Sequence, residues 1–367
     1  MNGRPPFAVL GAGSGGQAIA ADLGARGYSV RLFNRTPERL EPIRRQGGIH
    51  LEREDGSRAF GPLELASSDL GQVLEGAQVI LVVVPATAHW EMAARCAPFL
   101  RDGQVVILCP GRTGGALEFR QALREAGCRA QVVVAEAQTL VVTSRQTGPG
   151  SVRVFQTKQA VPLAALPASD TPLALEPVRQ AYPQFVAVPN VLYTSLDNMG
   201  IVFHPALTVV NASRIEHSGG DFEFFTEGVT PAVARLLEEI DRERIQVAAA
   251  LGVEATTALR WLEIAYGVRE PDLYRAIQAN PGYRGIRAPE SLAHRYVVEE
   301  VPTGLVPISS LGARFGVPTR AIDAIIRTAS ILCGADFYAQ GRTIERLGLQ
   351  GLSVAEITRY VERGLWE

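Results

Sequence analysis

The chain has 367 residues, 47% hydrophobic and 20% charged, with a formal net charge of −2. That length supports two domains with sizeable cores, and the near-neutral charge gives no electrostatic case for nucleic acid or an anionic membrane. The basic side chains include a single lysine, Lys158, so a mechanism that needs a lysine in the second half is excluded.

No apolar stretch approaches the roughly 20 residues of a membrane span. The first apolar run is already a strand, so no leader is expected. Cys96, Cys109, Cys128 and Cys333 lack CxxC spacing and read as reduced, mostly buried thiols of a cytoplasmic protein.

The first predicted element is a short strand over 6–10. It runs into Gly11-Ala12-Gly13-Ser14-Gly15-Gly16 and then an alanine-rich helix that Gly24 and Gly27 close. Gly11 permits a tight turn, Gly13 lets backbone N–H groups approach a pyrophosphate, and Gly16 lets the helix pack on the strand. The helix N-terminus then faces phosphate with its partial positive charge. Gly11, Gly13, Ser14, Gly15 and Gly16 are therefore expected to bind a dinucleotide.

A second strand over 28–33 ends in Asn34-Arg35-Thr36. The carboxylate that would hold ribose hydroxyls and repel a 2′-phosphate is missing there. Asn34, Arg35 and Thr36 are expected at the cofactor, with NADP favoured over NAD. An uninterrupted apolar run over 79–84 reads as a strand buried on both faces, and Pro85 at its end is expected at the cofactor too. Runs over 105–109 and 131–134 repeat the pattern, with Pro110-Gly111-Arg112-Thr113-Gly114-Gly115 after the first of them. Strands alternating with helices predict an α/β doubly wound sheet of Rossmann type, with ligand at the carboxyl ends of the strands.

Prolines recur through 158–190, which reads as the end of the first domain and its crossing to the second. Beyond it the texture is helical. Stripes over 232–251 and 322–332 end at Gly252 and Gly334, and Ser353-Val354-Ala355-Glu356 opens a last helix with a capping box. The expected organisation is a dinucleotide-binding Rossmann domain over 1–188 and an all-α substrate and dimerisation domain over 189–367.

The chemistry is expected in the second half. If 197–211 is helical, His204, Thr208 and Asn211 share one face, and such a polar stripe on an apolar helix faces a site or an internal network. Asn211 is expected at the substrate. In 294–307, Arg295 lies five residues before Glu300. Glu300 can orient His204 and stabilise its imidazolium, as in triad logic, and Arg295 can clamp a carboxylate bidentately. No histidine has metal-ligand spacing, so no metal is expected.

Several runs resemble the octopine/nopaline (opine) dehydrogenase family. They are Phe203-His204-Pro205, Asn211-Ala212, the segment from Phe222 through Phe224-Phe225-Thr226 to Pro231, and Arg295-Tyr296 through Glu299-Glu300 to Pro307. In the first half, Pro110-Gly111-Arg112 through Phe119 resembles it as well. The resemblance implies a Rossmann domain joined to a helical domain, and reductive condensation of a 2-oxo acid with an amino acid to an N-(carboxyalkyl) amino acid. It places the family's catalytic histidine on His204, the carboxylate partner on Glu300 and the substrate arginine on Arg295. The family usually has aspartate where Glu300 stands and often tyrosine where Phe225 stands.

Two other readings are open. A ketopantoate-type reductase would act on C=O without an amine, but such relatives typically rely on a second-domain lysine. A non-catalytic dinucleotide sensor would not need His204, Arg295 and Glu300 together. The expected partners are small-molecule substrates and a second copy of the chain.

Overall fold

Eight strands form one sheet in the computed structural model, which describes residues 3–364. Its members are β1 (Phe7–Leu10), β2 (Val30–Phe33), β5 (Leu65–Ser67), β6 (Val79–Val82), β7 (Val105–Leu108), β8 (Val133–Ala137), β11 (Val161–Leu166) and β12 (Phe185–Ala187), in the order β12-β11-β8-β7-β6-β1-β2-β5. The pairings are parallel except where β11 meets β8. β1 lies between β6 and β2, so the strand order reverses there. This is the topological switch point at which such sheets bind ligand. The Rossmann-type sheet expected from the alternating runs is present.

The four remaining strands, which the sequence reading did not anticipate, make a second sheet. They are β3 (Gly48–Glu52), β4 (Arg58–Pro62), β9 (Val142–Gly148) and β10 (Ser151–Thr157), in the order β4-β3-β10-β9. Their exposed, polar-rich faces lack the continuous apolar run of a buried strand. This sheet explains Gly24, which does not close the first helix but lies inside it (Ser14–Ala25). A Cβ on Gly24 would stand 2.4 Å from Pro62 O, and one on Gly61 2.1 Å from Ala21 O. Two glycines thus let helix and β4 backbone touch.

The proline-rich segment does close the main stretch of the first unit, which ends at Thr194, but it is not a linker. It supplies β11, the helix Thr171–Arg179 and β12, all part of the first unit. Of its prolines, Pro162 lies near the start of β11, Pro172 in the first turn of the helix and Pro177 inside that helix, and the others lie in connections.

The chain divides into two compact units, Met1–Thr194 with Ala355–Glu367, and Ser195–Val354. The helix Val354–Arg363 opens at the expected capping box. The segment after Val354 belongs to the first unit, whereas the sequence reading put it in the second. The second unit is helical. Its longest helix, Pro231–Ala250, has Pro231 at its first position, is capped by Thr230 Oγ1 accepting from Val233 N, and is followed by Gly252 at φ +73°. Arg244, wholly buried on this helix, donates to Asp241 Oδ1 at 2.7 Å. Glu243 accepts from the N–H groups of Ala321 and Ile322 at 2.9 Å, satisfying open donors at the start of Arg320–Cys333.

Candidate active site

In the first unit, the glycine turn has the geometry its sequence implies. Gly11 has φ +116°, and a Cβ there would lie 2.3 Å from Val83 O. A Cβ on Gly16 would lie 1.8 Å from Gly11 O, so helix and turn are in backbone contact. Around the Cβ position of Gly13 nothing lies within 4 Å, which leaves the approach that a pyrophosphate needs. Gly13 is also the N-cap of Ser14–Ala25, whose first N–H groups are donors for an anion. The residues fit a dinucleotide phosphate.

Two residues not anticipated from the sequence brace this turn. Gln146 on β9 donates from its backbone N–H to Ser14 Oγ and from its side chain to Ala12 O, both at 3.2 Å. Gln17 donates to Ala12 O at 3.0 Å. The bracing strand is more than 130 positions away, so local pattern carries no signal of it.

At the end of β2, Asn34 is buried and works as a strut. Its Oδ1 accepts from Ala12 N at 3.3 Å and its Nδ2 donates to Thr36 O at 3.0 Å. Arg35 beside it is exposed and Thr36 partly so. Pro85 is exposed at the carboxyl end of β6, the strand next to β1.

The glycines after β7 serve a buried carboxylate. Glu136, at the end of β8, accepts from Ala116 N at 2.7 Å. A Cβ on Gly111 would lie 2.5 Å from Glu136 Oε2. The signal for Glu136 was a lone acid in the otherwise apolar run over 132–137. His89 is fully buried behind the same turn. The thiols of Cys96 and Cys109 are pushed up to about 12 by burial, which makes them unreactive.

In the second unit, 200–210 is helical (Gly200–Val210) and His204 faces Glu300. His204 Nδ1 lies 3.0 Å from Glu300 Oε1 and 3.1 Å from Oε2. The Glu300 side chain is 1% exposed and that of His204 is 24% exposed, so the carboxylate is sealed while the imidazole reaches solvent. Glu300 immediately precedes a wide helical turn, Val301–Leu305. A Cβ on Gly304 in that turn would lie 2.2 Å from Ile201 Cγ2. Gly304 therefore lets the turn close onto the helix one turn before His204.

Tyr296, not expected as a site residue, stacks on His204 with ring centroids 4.0 Å apart and planes at 13°. Its other neighbours are Phe224, at 5.4 Å and 23°, and His294, edge-on at 4.4 Å. Burial first, then Arg295 and His204, hold the His294 pKa below its ordinary value. Stacking and the Glu300 hydrogen bond together fix the plane of the His204 ring.

Arg295 is half-exposed and lies 3.1 Å from Glu299 Oε2. Its guanidinium is held from one side and open on the other. Thr208 and Asn211 do not extend the polar stripe. Thr208 is fully buried and donates to His204 O at 2.7 Å. Asn211 Nδ2 donates to Leu207 O at 2.9 Å and Gly228 O at 3.1 Å. Both amide hydrogens of Asn211 are thus committed to backbone, leaving only its carbonyl oxygen for a ligand. Among the described residues no group of three or more His, Cys, Asp or Glu is placed to hold a metal ion. No described helix is long and apolar enough to cross a membrane.

Residues 187–333 match the family described as NAD/NADP octopine/nopaline dehydrogenase, alpha-helical domain, and residues 7–167 match ketopantoate reductase PanE/ApbA. The chain is 44% identical to an opine dehydrogenase of Arthrobacter sp. (strain 1C), over 97% of this chain and 98% of that one. The chain belongs to the opine dehydrogenase family. It is a nicotinamide-dinucleotide-dependent oxidoreductase of the type that acts on CH–NH bonds, as the sequence resemblance implied. The Protein ocs of Agrobacterium tumefaciens (strain Ach5) is 26% identical over 96% of this chain and 98% of that one. The fold is that of an octopine dehydrogenase solved with NADH and L-arginine, with a TM-score of 0.82 at 20% identity over 99% of both chains. A yersinopine dehydrogenase with NADP+ bound gives 0.73 at 18% identity, also over 99% of both.

Proposed function

We propose that this opine dehydrogenase reductively condenses a 2-oxo acid, with pyruvate the simplest candidate, with the amino group of an amino acid, using NADPH in preference to NADH. The observation that carries the catalytic assignment is the His204–Glu300 pair, in which Nδ1 of a partly exposed imidazole meets a sealed carboxylate.

With Nδ1–H donating to Glu300, His204 presents Nε2 to the substrate. Nε2 takes a proton from the ammonium group, freeing the amine to attack the oxo carbon. It returns a proton to the carbinolamine hydroxyl, which leaves as water and yields the imine. The bound dinucleotide supplies the hydride that reduces the imine carbon. The whole reaction consumes one proton, which His204 can draw from solvent because its ring is accessible. Glu300 stabilises each imidazolium stage, and the stacked Tyr296 keeps the ring in plane. Arg295 is assigned to the amino acid carboxylate, with Glu299 holding its guanidinium in place. Asn211 is assigned to the wall of the substrate site, acting through Gly228.

The dinucleotide is assigned to Gly11, Gly13, Ser14, Gly15, Gly16, Asn34, Arg35, Thr36 and Pro85. The NADPH preference is supported by the exposed Arg35, free to meet a 2′-phosphate, and by the strut Asn34 in place of a repelling carboxylate. Its check is the ratio of NADPH to NADH affinity, which should exceed one and invert in Arg35→Glu. We also infer a homodimer, supported by the apolar Ile331 and Leu332, 80% and 44% exposed; sedimentation as a clean monomer would refute it. A cytoplasmic setting is supported by four free cysteines.

The deciding assay is NADPH oxidation with pyruvate alone, with pooled amino acids alone, and with both. Oxidation only with both is expected. Equal oxidation by pyruvate alone would restore the simple oxo-acid reductase reading, against which stand the lysine-free second unit and its family match.

A further inference from the structure

Three successive backbone N–H groups of the second unit end on one residue. Tyr296 N–H donates to His294 Nδ1 at 3.4 Å, and the N–H groups of Val297 and Val298 donate to His294 O at 2.9 and 3.1 Å. His294 is thus the N-cap of the helical turn Arg295–Val298, with extended backbone at φ −83° and ψ 152°. We propose that His294 is a positioning residue whose uncharged imidazole holds the turn that presents Arg295 to the amino acid, and whose protonation releases that turn. The proposal rests on the assignment of Arg295 to the amino acid carboxylate.

The choice of histidine at this cap is what carries the idea. The usual capping side chains, Ser, Thr, Asp and Asn, accept a hydrogen bond throughout the neutral range. Imidazole accepts only while it is neutral, because both nitrogens donate once it is charged. A backbone N–H can only donate, so Nδ1 is the bare nitrogen here and the ring proton sits on Nε2. Protonating Nδ1 would set N–H against N–H and remove the cap bond.

What hangs on the cap is the site itself. Arg295 follows His294 directly, and Tyr296, whose N–H is the capped group, stacks on His204 at 4.0 Å. The His294 ring meets Tyr296 edge-on at 4.4 Å and 81°. Val297 is fully buried and roots the turn. His294 is itself partly exposed, so protons reach it.

The charged groups that act on His294 are Arg295 and Glu299 from its own segment, Glu300 beyond them, and His204 from the helix Gly200–Val210. Burial, Arg295 and His204 outweigh the two carboxylates and favour the neutral ring. The sign follows from that direction. The cap is present near neutrality and is lost as pH falls below about 6.5.

The test compares full-length wild type, H294N and H294A from about pH 8 down to about pH 5. An equimolar pool of the common amino acids is titrated at saturating pyruvate and NADPH. In wild type the apparent KM for the pool should rise about 5-fold on the acid side, the effect of losing one cap. H294N, which accepts at every pH, should flatten that rise. H294A should carry the raised KM across the whole range. In each case kcat should move less than KM, because Phe224 still flanks the Tyr296 ring.

A wild-type rise retained in H294N overturns the proposal. So does an H294A enzyme whose KM near neutrality matches wild type. Equal losses in both variants, with lowered melting temperatures, overturn it too and make His294 a packing residue. A 15N-histidine label gives a readout free of turnover. Of the five histidines, the one whose signal is absent from H294N is His294. It should show a bare Nδ1 at about pH 7 and take its proton below about 6.5. A protonated Nδ1 near neutrality overturns the proposal. NADPH oxidation by pyruvate without an amine would defeat the condensation reading instead and leave that nitrogen signal standing.

Discussion

The glycine turn and the His204–Glu300 pair are built on opposite principles. The turn is six consecutive residues whose geometry follows from missing side chains, with Gly11, Gly13 and Gly16 each doing what its position in the run implies. The pair joins residues 96 positions apart, and only packing brings them to 3 Å. Gly304 against Ile201, the wide turn after Glu300 and Tyr296 against the imidazole are all needed for that meeting. A binding element can thus be written locally, whereas a proton-transfer element must be assembled.

That contrast can be broken at either end. The largest effect is expected from Gly16→Ala, because the new Cβ would lie 1.8 Å from Gly11 O and backbone must move. Dinucleotide binding should be abolished, with about 3 kcal/mol of stability lost. Gly13→Ala, into open space, should leave the melting temperature unchanged and weaken only the nucleotide. Equal melting temperatures for the two variants would show that the turn is not the rigid element described.

His204→Ala should lower kcat about 10³-fold with NADPH affinity intact, read by rates and fluorescence titration. Full activity would remove the assignment. Glu300→Gln should lower kcat about 10²-fold, because the amide cannot stabilise imidazolium. Glu300→Asp, the residue usual in the family, should cost less than Glu300→Gln. An aspartate variant as poor as the glutamine would show that reach, not charge, sets the pair.

Much of the first unit was legible because buried parallel strands are continuous apolar runs, which is how β1, β6 and β7 stand out. The second sheet was not, because β3, β4, β9 and β10 mix exposed polar residues with few apolar ones. The prolines over 158–190 read as a crossing because proline usually breaks regular structure, yet Pro162 sits near the start of β11 and Pro172 in the first turn of a helix. Asn211 matched a polar stripe, yet its amide serves Leu207 and Gly228. A helical face places a residue but does not choose its partner.

By itself the sequence determined the dinucleotide turn, the alternation of strand and helix, the helical second half and the residue types available for proton transfer. All of these rest on interactions within a few positions, which composition and spacing express directly. Tertiary structure alone decided that Glu300 meets His204, that Tyr296 stacks on it, and that Asn34 is a strut. Those contacts join distant segments, and their energies depend on burial and close approach, which a linear pattern does not contain.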